Sequence, residues 1–299
     1  MALLDRAIAR VLPAVPKPVV RILASPYIAG PTLEDAVRVV GRLNSEGKLA
    51  TVDVLGEEVA TAEEAREIAR GYHRVLARAE SEGLDANVSV KLTGLGLGLD
   101  YALCRENLAA VVEDARARGN FVRIDMEDSS TTDDALRLYG ELHDGGATNV
   151  GVVLQARLRR TITDAKGLAN VRLCKGIYLE PEAIAFHDAE EIRESFRATL
   201  RVLLDQGSYV GIATHDEALI ADALEQVRAR GLSPEQYEFQ MLLGVRPARG
   251  DALVREGHRL RVYVPFGTHW YEYSVRRLQE NPNIAGYVAV DTVRRLARR

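Results

Sequence analysis

The chain has 299 residues, of which 47% are hydrophobic and 27% are charged. This composition is typical of a globular protein with a sizeable core, and it excludes an intrinsically disordered chain. The formal net charge of −4 gives no overall attraction for nucleic acid, and the main body of the chain has no basic face interleaved with aromatic residues. We therefore expect no nucleic acid partner.

The chain carries two cysteines, Cys104 and Cys174, seventy positions apart. That spacing lacks the close pairing of a zinc site and the density of a disulfide scaffold, which favours a reducing compartment. Charged residues interrupt the apolar N-terminus, so no secretory signal is predicted, and no apolar run reaches the roughly 18 residues that span a bilayer. We expect a cytoplasmic protein, with peripheral contact at the inner face of the membrane left open.

The N-terminal part is predicted to be helical. Apolar residues recur at helical spacing over residues 3–12 before a run of prolines interrupts the pattern. A second helix is predicted at residues 32–46, with Thr32 as its N-cap and Gly47 closing it. We expect residues 1–48 to form a helical extension that packs on a single barrel domain, residues 49–299.

After the extension, short apolar and often β-branched runs alternate with capped helical segments. Eight runs are predicted to be strands, at residues 50–55, 87–92, 121–126, 150–155, 171–175, 210–214, 237–242 and 259–264. Helices are predicted between them at residues 61–82, 100–118, 132–143, 188–206 and 216–230, with a partial helical pattern at 159–168. In the first of these helices, Thr61 and Glu64 are predicted to form a capping box.

Eight strands that alternate with helices, without a linker rich in Gly, Pro or Ser, favour a parallel sheet. We predict an α/β fold in which the sheet closes as a (β/α)8 TIM barrel, with an open doubly wound sheet as the alternative. In a closed barrel the catalytic groups lie at the C-terminal ends of the strands. The strand bodies are expected to fill the interior with branched apolar side chains.

The predicted strand ends are unusually polar. They carry Lys91, Asp125, Gln155, Arg172, Lys175, Thr214, His215 and Tyr263. A single charge at a strand exit is more often a solvated residue than a functional one. Because six of the eight exits share this feature, we expect a pocket with charges of both signs at the barrel mouth.

Two further chemistries are open at these strand ends. Lys91 beside a carboxylate such as Asp125 would stay charged, whereas a lysine desolvated near other cations would be a nucleophilic amine. Asp125, Glu127 and Asp128 could hold a divalent cation, but the histidines lack the spacing of a zinc site. We do not expect a metal.

A last helix is predicted at residues 270–280, where Arg276, Arg277 and Glu280 lie close together. Two adjacent guanidinium groups suit a bound anion, and a carboxylate fits the geometry of an arginine fork. The alternative is an exposed basic helix end in which Glu280 is the ion-pair partner.

Four sequence motifs occur in order: Arg-Leu-Cys-Lys-Gly-Ile-Tyr at 172–178, Ala-Thr-His-Asp at 213–216, Tyr-Glu-Phe-Gln-Met-Leu at 237–242 and Ser-Val-Arg-Arg-Leu-Gln-Glu-Asn at 274–281. With Val-Lys-Leu-Thr around Lys91 and Arg-Ile-Asp-Met-Glu around Asp125, the chain resembles the proline dehydrogenases over roughly residues 50–285. These include the proline-oxidising domain of the bifunctional proline utilisation enzymes. The resemblance implies a distorted (β/α)8 barrel that binds FAD non-covalently and holds proline between the flavin and a charged lid.

The matching motifs also imply roles for individual residues. Asp125 and Arg172 resemble the catalytic pair of the family beside the flavin. The residues implied to bind the proline carboxylate are Lys91, Arg276 and Arg277, and those implied to wall its ring are Tyr178, Leu242 and Tyr263. The implied flavin contacts are Met126, Gln155, Cys174, Lys175, Gly176, Thr214 and His215.

The implied reaction is the oxidation of L-proline to 1-pyrroline-5-carboxylate, the first step of proline breakdown to glutamate. Hydride must leave the ring carbon next to nitrogen, so a pinned carboxylate has to aim that carbon at flavin N5. Arg172 near the flavin would stabilise negative charge on the reduced ring. Ile177 and Leu179 stand where family members often carry a small and an aromatic residue, so ring packing and flavin contacts are expected to differ there.

The resemblance further implies a membrane quinone as the electron acceptor. The tail at residues 288–299 alternates apolar residues with arginines and could rest on anionic lipid, or be a soluble terminal helix. If the resemblance is set aside, the residues themselves allow two other functions. One is a Schiff-base aldolase that uses Lys91 or Lys175 as its nucleophile, and the other is a non-enzymatic barrel that binds a carboxylate ligand or a partner protein.

Overall fold

The computed structural model describes residues 25–57, 59–271 and 274. The strands are β1 Leu49–Val54, β2 Ala86–Val90, β3 Val122–Ile124, β4 Val150–Gln155, β5 Asn170–Cys174, β6 Tyr209–Ala213, β7 Tyr237–Leu242 and β8 Leu260–Phe266. The α-helices are α1 Leu33–Ser45, α2 Ala62–Ser81, α3 Tyr101–Ala117, α4 Thr132–Asp144, α5 Thr161–Asp164, α6 Ala189–Asp205, α7 Glu217–Ala229 and α8 Pro247–Arg255. The predicted helix at 3–12 lies outside the described residues, as do Arg276 and Arg277.

The eight strands form a closed parallel barrel. Each strand pairs in parallel with the next, and β1 pairs with β8 from Leu49 opposite Arg261 to Val54 opposite Phe266. The predicted (β/α)8 barrel is thus confirmed, and the open doubly wound alternative is wrong. Closure brings the C-terminal ends of all eight strands around one mouth, where motifs distant in sequence can form one site.

Most elements lie close to their predicted positions. β4 and β7 have the predicted bounds, and each of the other strands differs by one or two residues at its ends. Helix α8 was not predicted, because its nine residues are too few to show a clear apolar face. The partial pattern at 159–168 contains only the four residues of α5. No helix among the described residues is long and apolar enough to cross a membrane.

Side-chain caps begin several of the helices. Thr32 forms a complete capping box with Asp35 at the start of α1. At α2 the predicted box is incomplete: Thr61 Oγ1 accepts from the Glu64 N–H, but the Glu64 carboxylate accepts from Ala60 rather than from Thr61. The Glu64 side chain thus accepts from the residue before the N-cap, one position earlier in the chain than the sequence pattern predicted.

The barrel interior is polar, contrary to the expectation that branched apolar side chains fill it. Side chains from strands that are not neighbours meet across the lumen: Arg172 on β5 donates to Ser89 on β2, and Arg123 on β3 donates to the backbone oxygen of Asn170 on β5. The alternate strand residues, such as Val171 beside Arg172, are fully buried in the apolar core shared with the helices. The apolar face of the sheet thus packs outward, and hydrogen-bonding groups occupy the lumen.

Two glycines provide space for these long polar side chains. A Cβ atom at Gly151 would lie 2.4 Å from Nη1 of Arg123 and 2.6 Å from the backbone oxygen of Asn170. A Cβ atom at Gly211 would lie 2.4 Å from Nε2 of Gln240. All three distances are far below van der Waals contact, so any larger residue at either position would displace the lumen side chains.

We predict that Gly151→Ala lowers the free energy of unfolding by about 1–3 kcal/mol, the usual cost of overpacking a core. The matched control is Gly140→Ala, because Gly140 lies within α4 and a Cβ atom there meets nothing within 4 Å. The control should raise the free energy of unfolding by about 0.5–1 kcal/mol, since alanine favours the helix. Urea unfolding measures both. A Gly151→Ala variant as stable as the wild type would contradict the conclusion that the lumen has no space for a Cβ atom at position 151.

Candidate active site

Lys91 is the centre of an ionic cluster at the mouth. Its ammonium group donates to Asp53 Oδ2 at 2.7 Å and to the hydroxyl oxygen of Tyr263 at 3.1 Å. Carboxylate oxygens of Glu57 and Asp125 lie 3.5 and 3.9 Å from the same nitrogen. Burial would lower the pKa of Lys91, but the carboxylates, Asp53 first, raise that pKa well above its usual value. Lys91 is therefore a cation throughout the physiological pH range.

Asp53 and Glu57 are not among the site residues predicted from sequence. Asp53 has no exposed surface, and it also accepts a hydrogen bond from the hydroxyl of Tyr72 at 3.2 Å. The signal that could have found Asp53 is its position between Val52 and Val54 in a predicted strand. A carboxylate inside a buried strand needs a charged partner, and Lys91 is that partner.

Asp125 and Arg172, the predicted catalytic pair, form an ion pair across the lumen. Arg172 Nη1 donates to Asp125 Oδ1 at 3.0 Å, and Asp125 Oδ2 accepts from the hydroxyl of Tyr263 at 3.1 Å. Burial would raise the pKa of Asp125, but Arg172 and then Lys91 lower it overall. Asp125 is thus ionised at neutral pH, so it holds cations in place and is not a proton donor.

The guanidinium group of Arg172 is fixed from several sides. Its Nε donates to Gln240 Oε1 at 2.6 Å, and its Nη1 also donates to Ser89 Oγ at 3.0 Å. Gln240 donates in turn to Glu238 at 2.5 Å, and the same carboxylate oxygen accepts from Arg261 Nε at 2.8 Å. This chain of charge-assisted hydrogen bonds sets the orientation of the Arg172 fork. Sequence reasoning did not predict any of these supporting residues.

The acidic run after β3 does not form a metal-binding cluster. Asp125 binds Arg172, Glu127 accepts two hydrogen bonds from Thr93, and Asp128 caps the turn at Ser130. The three carboxylates therefore have separate partners. Among the described residues, no group of three His, Cys, Asp or Glu side chains is arranged to hold a metal ion.

Gln155 and Gly176 lie against each other at the ends of β4 and β5. Gln155 Nε2 donates to the backbone oxygen of Glu127 at 2.7 Å. Gly176 has a φ of 91°, and a Cβ atom there would lie 2.7 Å from Gln155 Oε1. Only glycine suits both the backbone conformation and the space, so the β5 exit presents bare backbone next to an amide side chain. Met126, which directly precedes Glu127 in the chain, is buried, and Cys174 at the end of β5 is half-buried.

Lys175 and the β6 exit form a second polar group. Lys175 Nζ and Arg193 Nε both donate to Asp216 Oδ2, at 3.1 and 2.8 Å. The hydroxyl of Thr214 accepts from the backbone N–H of Asp216. These contacts keep two partly exposed cations at one edge of the mouth, a position suited to an anionic ligand.

His215 and Leu242 are in direct contact. The backbone N–H of Leu242 donates to His215 Nε2 at 2.9 Å, which assigns the proton of a neutral His215 ring to Nδ1. The backbone oxygen of His215 accepts from Arg246 at 2.6 Å. A predicted cofactor residue after β6 and a predicted substrate residue on β7 are thus joined by a hydrogen bond.

Tyr178 lies on the loop after β5 and turns towards the ionic cluster. Burial first, and then Glu127 and Glu57, raise the pKa of the Tyr178 hydroxyl. Its neighbours Ile177 and Leu179 have 39% and 90% of their surface exposed.

The chain as a whole is similar to known proteins. The family model for proline dehydrogenase matches residues 36–289. The chain belongs to the proline dehydrogenase family. It is 38% identical over 272 residues to proline dehydrogenase 1 of Bacillus subtilis subsp. natto, covering 90% of both chains. It is 35% identical over 274 residues to proline dehydrogenase of Deinococcus radiodurans, covering 89% of this chain and 88% of that one.

A solved structure shares the fold. Proline utilization A from Bdellovibrio bacteriovorus, inactivated by N-propargylglycine, superposes with a TM-score of 0.81 at 23% identity. The match covers 92% of this chain but 36% of that longer chain. At this identity the likeness supports the barrel and no finer statement.

We predict that Arg172→Met lowers the free energy of unfolding at pH 7 by about 3–5 kcal/mol, because it leaves the largely buried Asp125 without its main partner. In the wild type the pKa of Asp125 is below its unfolded value, so its contribution is present above about pH 4 and is lost as the pH falls through the folded pKa. In the variant that pKa rises, and protonation relieves the unpaired charge.

The difference in stability between wild type and Arg172→Met should therefore shrink from pH 7 to pH 4, as measured by urea unfolding. Arg116→Met is the control, because Arg116 is an exposed partner of Glu113 on α3; its stability should match the wild type at both pH values. A deficit for Arg172→Met that is equal at pH 7 and pH 4 would contradict the assigned ion pair.

Proposed function

We propose that this protein oxidises L-proline to 1-pyrroline-5-carboxylate with FAD as its cofactor. The observation that carries the proposal is the Asp125–Arg172 ion pair beside Lys91 at the barrel mouth, in a chain of the proline dehydrogenase family. The reaction is the first step of proline breakdown towards glutamate.

The substrate is proposed to bind by its carboxylate to Lys91, Arg276 and Arg277. Lys91 is charged and buried at the mouth, which makes it a strong partner for a carboxylate. The pyrrolidine ring would then lie against Tyr178, Leu242 and Tyr263. Pinning one end of a small rigid substrate orients its ring carbons, which is a large part of catalysis for a substrate of this size.

The residues assigned to FAD are Met126, Gln155, Cys174, Lys175, Gly176, Thr214 and His215. The donor set fits such a group. Gly176 leaves backbone accessible where a Cβ atom would collide with Gln155, and Lys175 with Arg193 offers positive charge suited to a pyrophosphate. When bound, FAD supplies the acceptor for the hydride that leaves the proline ring.

Arg172 and Asp125 are proposed to act electrostatically. Arg172 places a fixed positive charge where negative charge develops during the reaction. Asp125 stays ionised, accepts from Arg172 and accepts from the hydroxyl of Tyr263. It therefore holds the guanidinium group of Arg172 in place before the reaction, so the group need not reorient as charge develops. The proline amine must reach the site neutral, or lose its proton there, before hydride leaves.

A Schiff-base aldolase fits the site less well. A nucleophilic lysine needs a lowered pKa, whereas the pKa of Lys91 is raised and Lys175 is paired with Asp216. A carboxylate-binding barrel without catalysis remains the second candidate, because the same cations would serve it.

The decisive experiment is an anaerobic titration of the purified protein with L-proline. We expect a yellow protein whose flavin absorbance bleaches on addition of proline. Colourless protein that borohydride traps with an aldehyde or ketone would support the aldolase. Protein that binds proline but leaves added FAD oxidised would support the binding barrel.

We predict that Arg276→Met or Arg277→Met weakens proline binding by roughly tenfold or more, since each removes a charge-assisted contact to the carboxylate. FAD should be retained, as judged by the absorbance of the purified variants. The same anaerobic titration gives the affinity, and unchanged values in both variants would overturn the assignment of these arginines.

We also propose a membrane quinone as the electron acceptor. Among the described residues, exposed large apolar side chains concentrate on the loop between β5 and α6, at Ile177, Leu179 and Ile184. They flank Tyr178, which faces the cluster, so an apolar acceptor or a membrane surface would meet them beside the site.

We predict that Leu179→Ser lowers the rate with a quinone carrying an apolar tail by roughly threefold to tenfold, because it removes apolar contact area. The rate with a small water-soluble dye should not change. Leu99→Ser is the control, since Leu99 is also exposed but precedes α3. Equal quinone kinetics for Leu179→Ser and Leu99→Ser would remove the loop from acceptor binding.

A further inference from the structure

The ammonium group of Lys91 has its direction set by two fixed partners. It has three N–H donors, of which one points to Asp53 Oδ2 at 2.7 Å and one to the hydroxyl of Tyr263 at 3.1 Å. The direction of the third follows from the other two by tetrahedral geometry. A residue that holds Asp53 in place therefore also sets the direction of the third N–H donor of Lys91.

Asp53 is itself held from outside the lumen. Its second oxygen accepts from the hydroxyl of Tyr72 at 3.2 Å, and Tyr72 is a fully buried residue of α2. The pairing of β1 with β2 ends at Val52 opposite Val88, one residue before Asp53. Asp53 therefore lies beyond the pairing with β2 but within the pairing with β8, which continues to Val54, and its carboxylate is held by side chains.

We propose that Asp53 is a positioning residue that fixes the ammonium group of Lys91 so that its third donor is presented to the carboxylate of the substrate. This rests on the proposed function, in which Lys91 binds that carboxylate. Asp53 is not a catalytic residue, because it touches Lys91 and Tyr72 and is closed to solvent.

Two effects of Asp53 oppose each other, and their balance makes the proposal testable. As an anion 2.7 Å from Lys91, Asp53 competes with a second carboxylate for the same cation, so its removal could strengthen substrate binding. As an anchor, it aims the ammonium group and keeps the group protonated despite burial. The proposal requires the second effect to be the larger one.

The test uses the purified holoenzyme and cyclopentanecarboxylate, which keeps the ring and carboxylate of proline but has no nitrogen to oxidise. In Asp53→Asn, binding measured by calorimetry at pH 7 should weaken by roughly tenfold. Removing the Asp53 charge lowers the pKa of Lys91 relative to the wild type, and above that pKa the affinity should fall a further tenfold per pH unit, a slope that the wild type lacks. With proline, KM should rise by roughly tenfold while kcat changes by less than about threefold. Equal or tighter binding by Asp53→Asn would overturn the proposal.

Two further variants separate positioning from a general structural role. Tyr72→Phe keeps both charges but removes the second anchor of Asp53, so a smaller loss of about twofold to threefold is expected. Asp53→Glu keeps the charge and should restore the flat pH profile while binding remains weaker. These two variants test the proposal even if Asp53→Asn fails to fold. Tyr72→Phe binding as tightly as the wild type, together with a sloping profile in Asp53→Glu, would then overturn the proposal.

A double-mutant cycle tests whether Asp53 acts through Lys91. In a Lys91→Met background, Asp53→Asn should cause no further loss of affinity, and the double variant should be more stable than Lys91→Met alone because no buried carboxylate is left unpaired. An equal loss in both backgrounds would overturn the proposal. Wild-type protein that does not bind cyclopentanecarboxylate would also overturn it. Wild-type protein that binds the analogue but does not oxidise proline would refute the proposed reaction alone.

Discussion

Compensation of buried charge in the barrel lumen is the constraint on which the rest of the structure depends. Lys91, Arg123, Arg172 and Arg261 are all buried there, and an unpaired buried cation is costly enough to lose its proton or unfold the protein. Each is therefore bound to carboxylates or carbonyl oxygens. Where carboxylates are distant, burial lowers the pKa of the cation. The pKa of Arg123 falls to about 9, which still leaves this side chain charged at neutral pH.

This constraint explains features that lie far from the mouth. Glu238 is buried because it neutralises Arg261 and orients Gln240, and Gln240 holds Arg172. Glycine occupies position 211 because Gln240 needs the space. A site built in this way is rigid, since moving Arg172 would at once break its hydrogen bonds to Ser89 on β2, Gln240 on β7 and Asp125 after β3. The apolar residues that stabilise the fold are displaced to the outer face of the sheet, where they pack against the helices.

The strands and the surrounding helices were easier to predict from the sequence than the polar contacts inside the barrel. Alternation of apolar runs and amphipathic helices follows from local periodicity, so the strands and most helices were predictable. Polar strand ends such as Lys91 and Asp125 stood out because they interrupt apolar runs. Supporting partners such as Gln240 did not, because its contact with Arg172 joins positions 68 residues apart. Such a contact depends on barrel closure and strand register, which no local pattern encodes.

The expectation of an apolar lumen failed for the same reason. A strand with period-two alternation has one apolar and one polar face, and the sequence does not say which faces the helices. In β5, Arg172 and its apolar neighbours alternate, and barrel closure puts the arginine inside. The capping box of α2 shows the limit on a smaller scale, because the backbone that Glu64 meets depends on how the chain enters the helix.

The charge balance of the cluster also bears on substrate recognition. Over the described residues, the cations Lys91 and Arg172 face three carboxylates, Asp53, Glu57 and Asp125. These groups together carry no excess of positive charge, so Lys91 would not by itself attract a free anion. The carboxylate of the substrate needs further cations beside Lys91. The two adjacent arginines at positions 276 and 277 are of the type required, which is why the proposed carboxylate site combines them with Lys91.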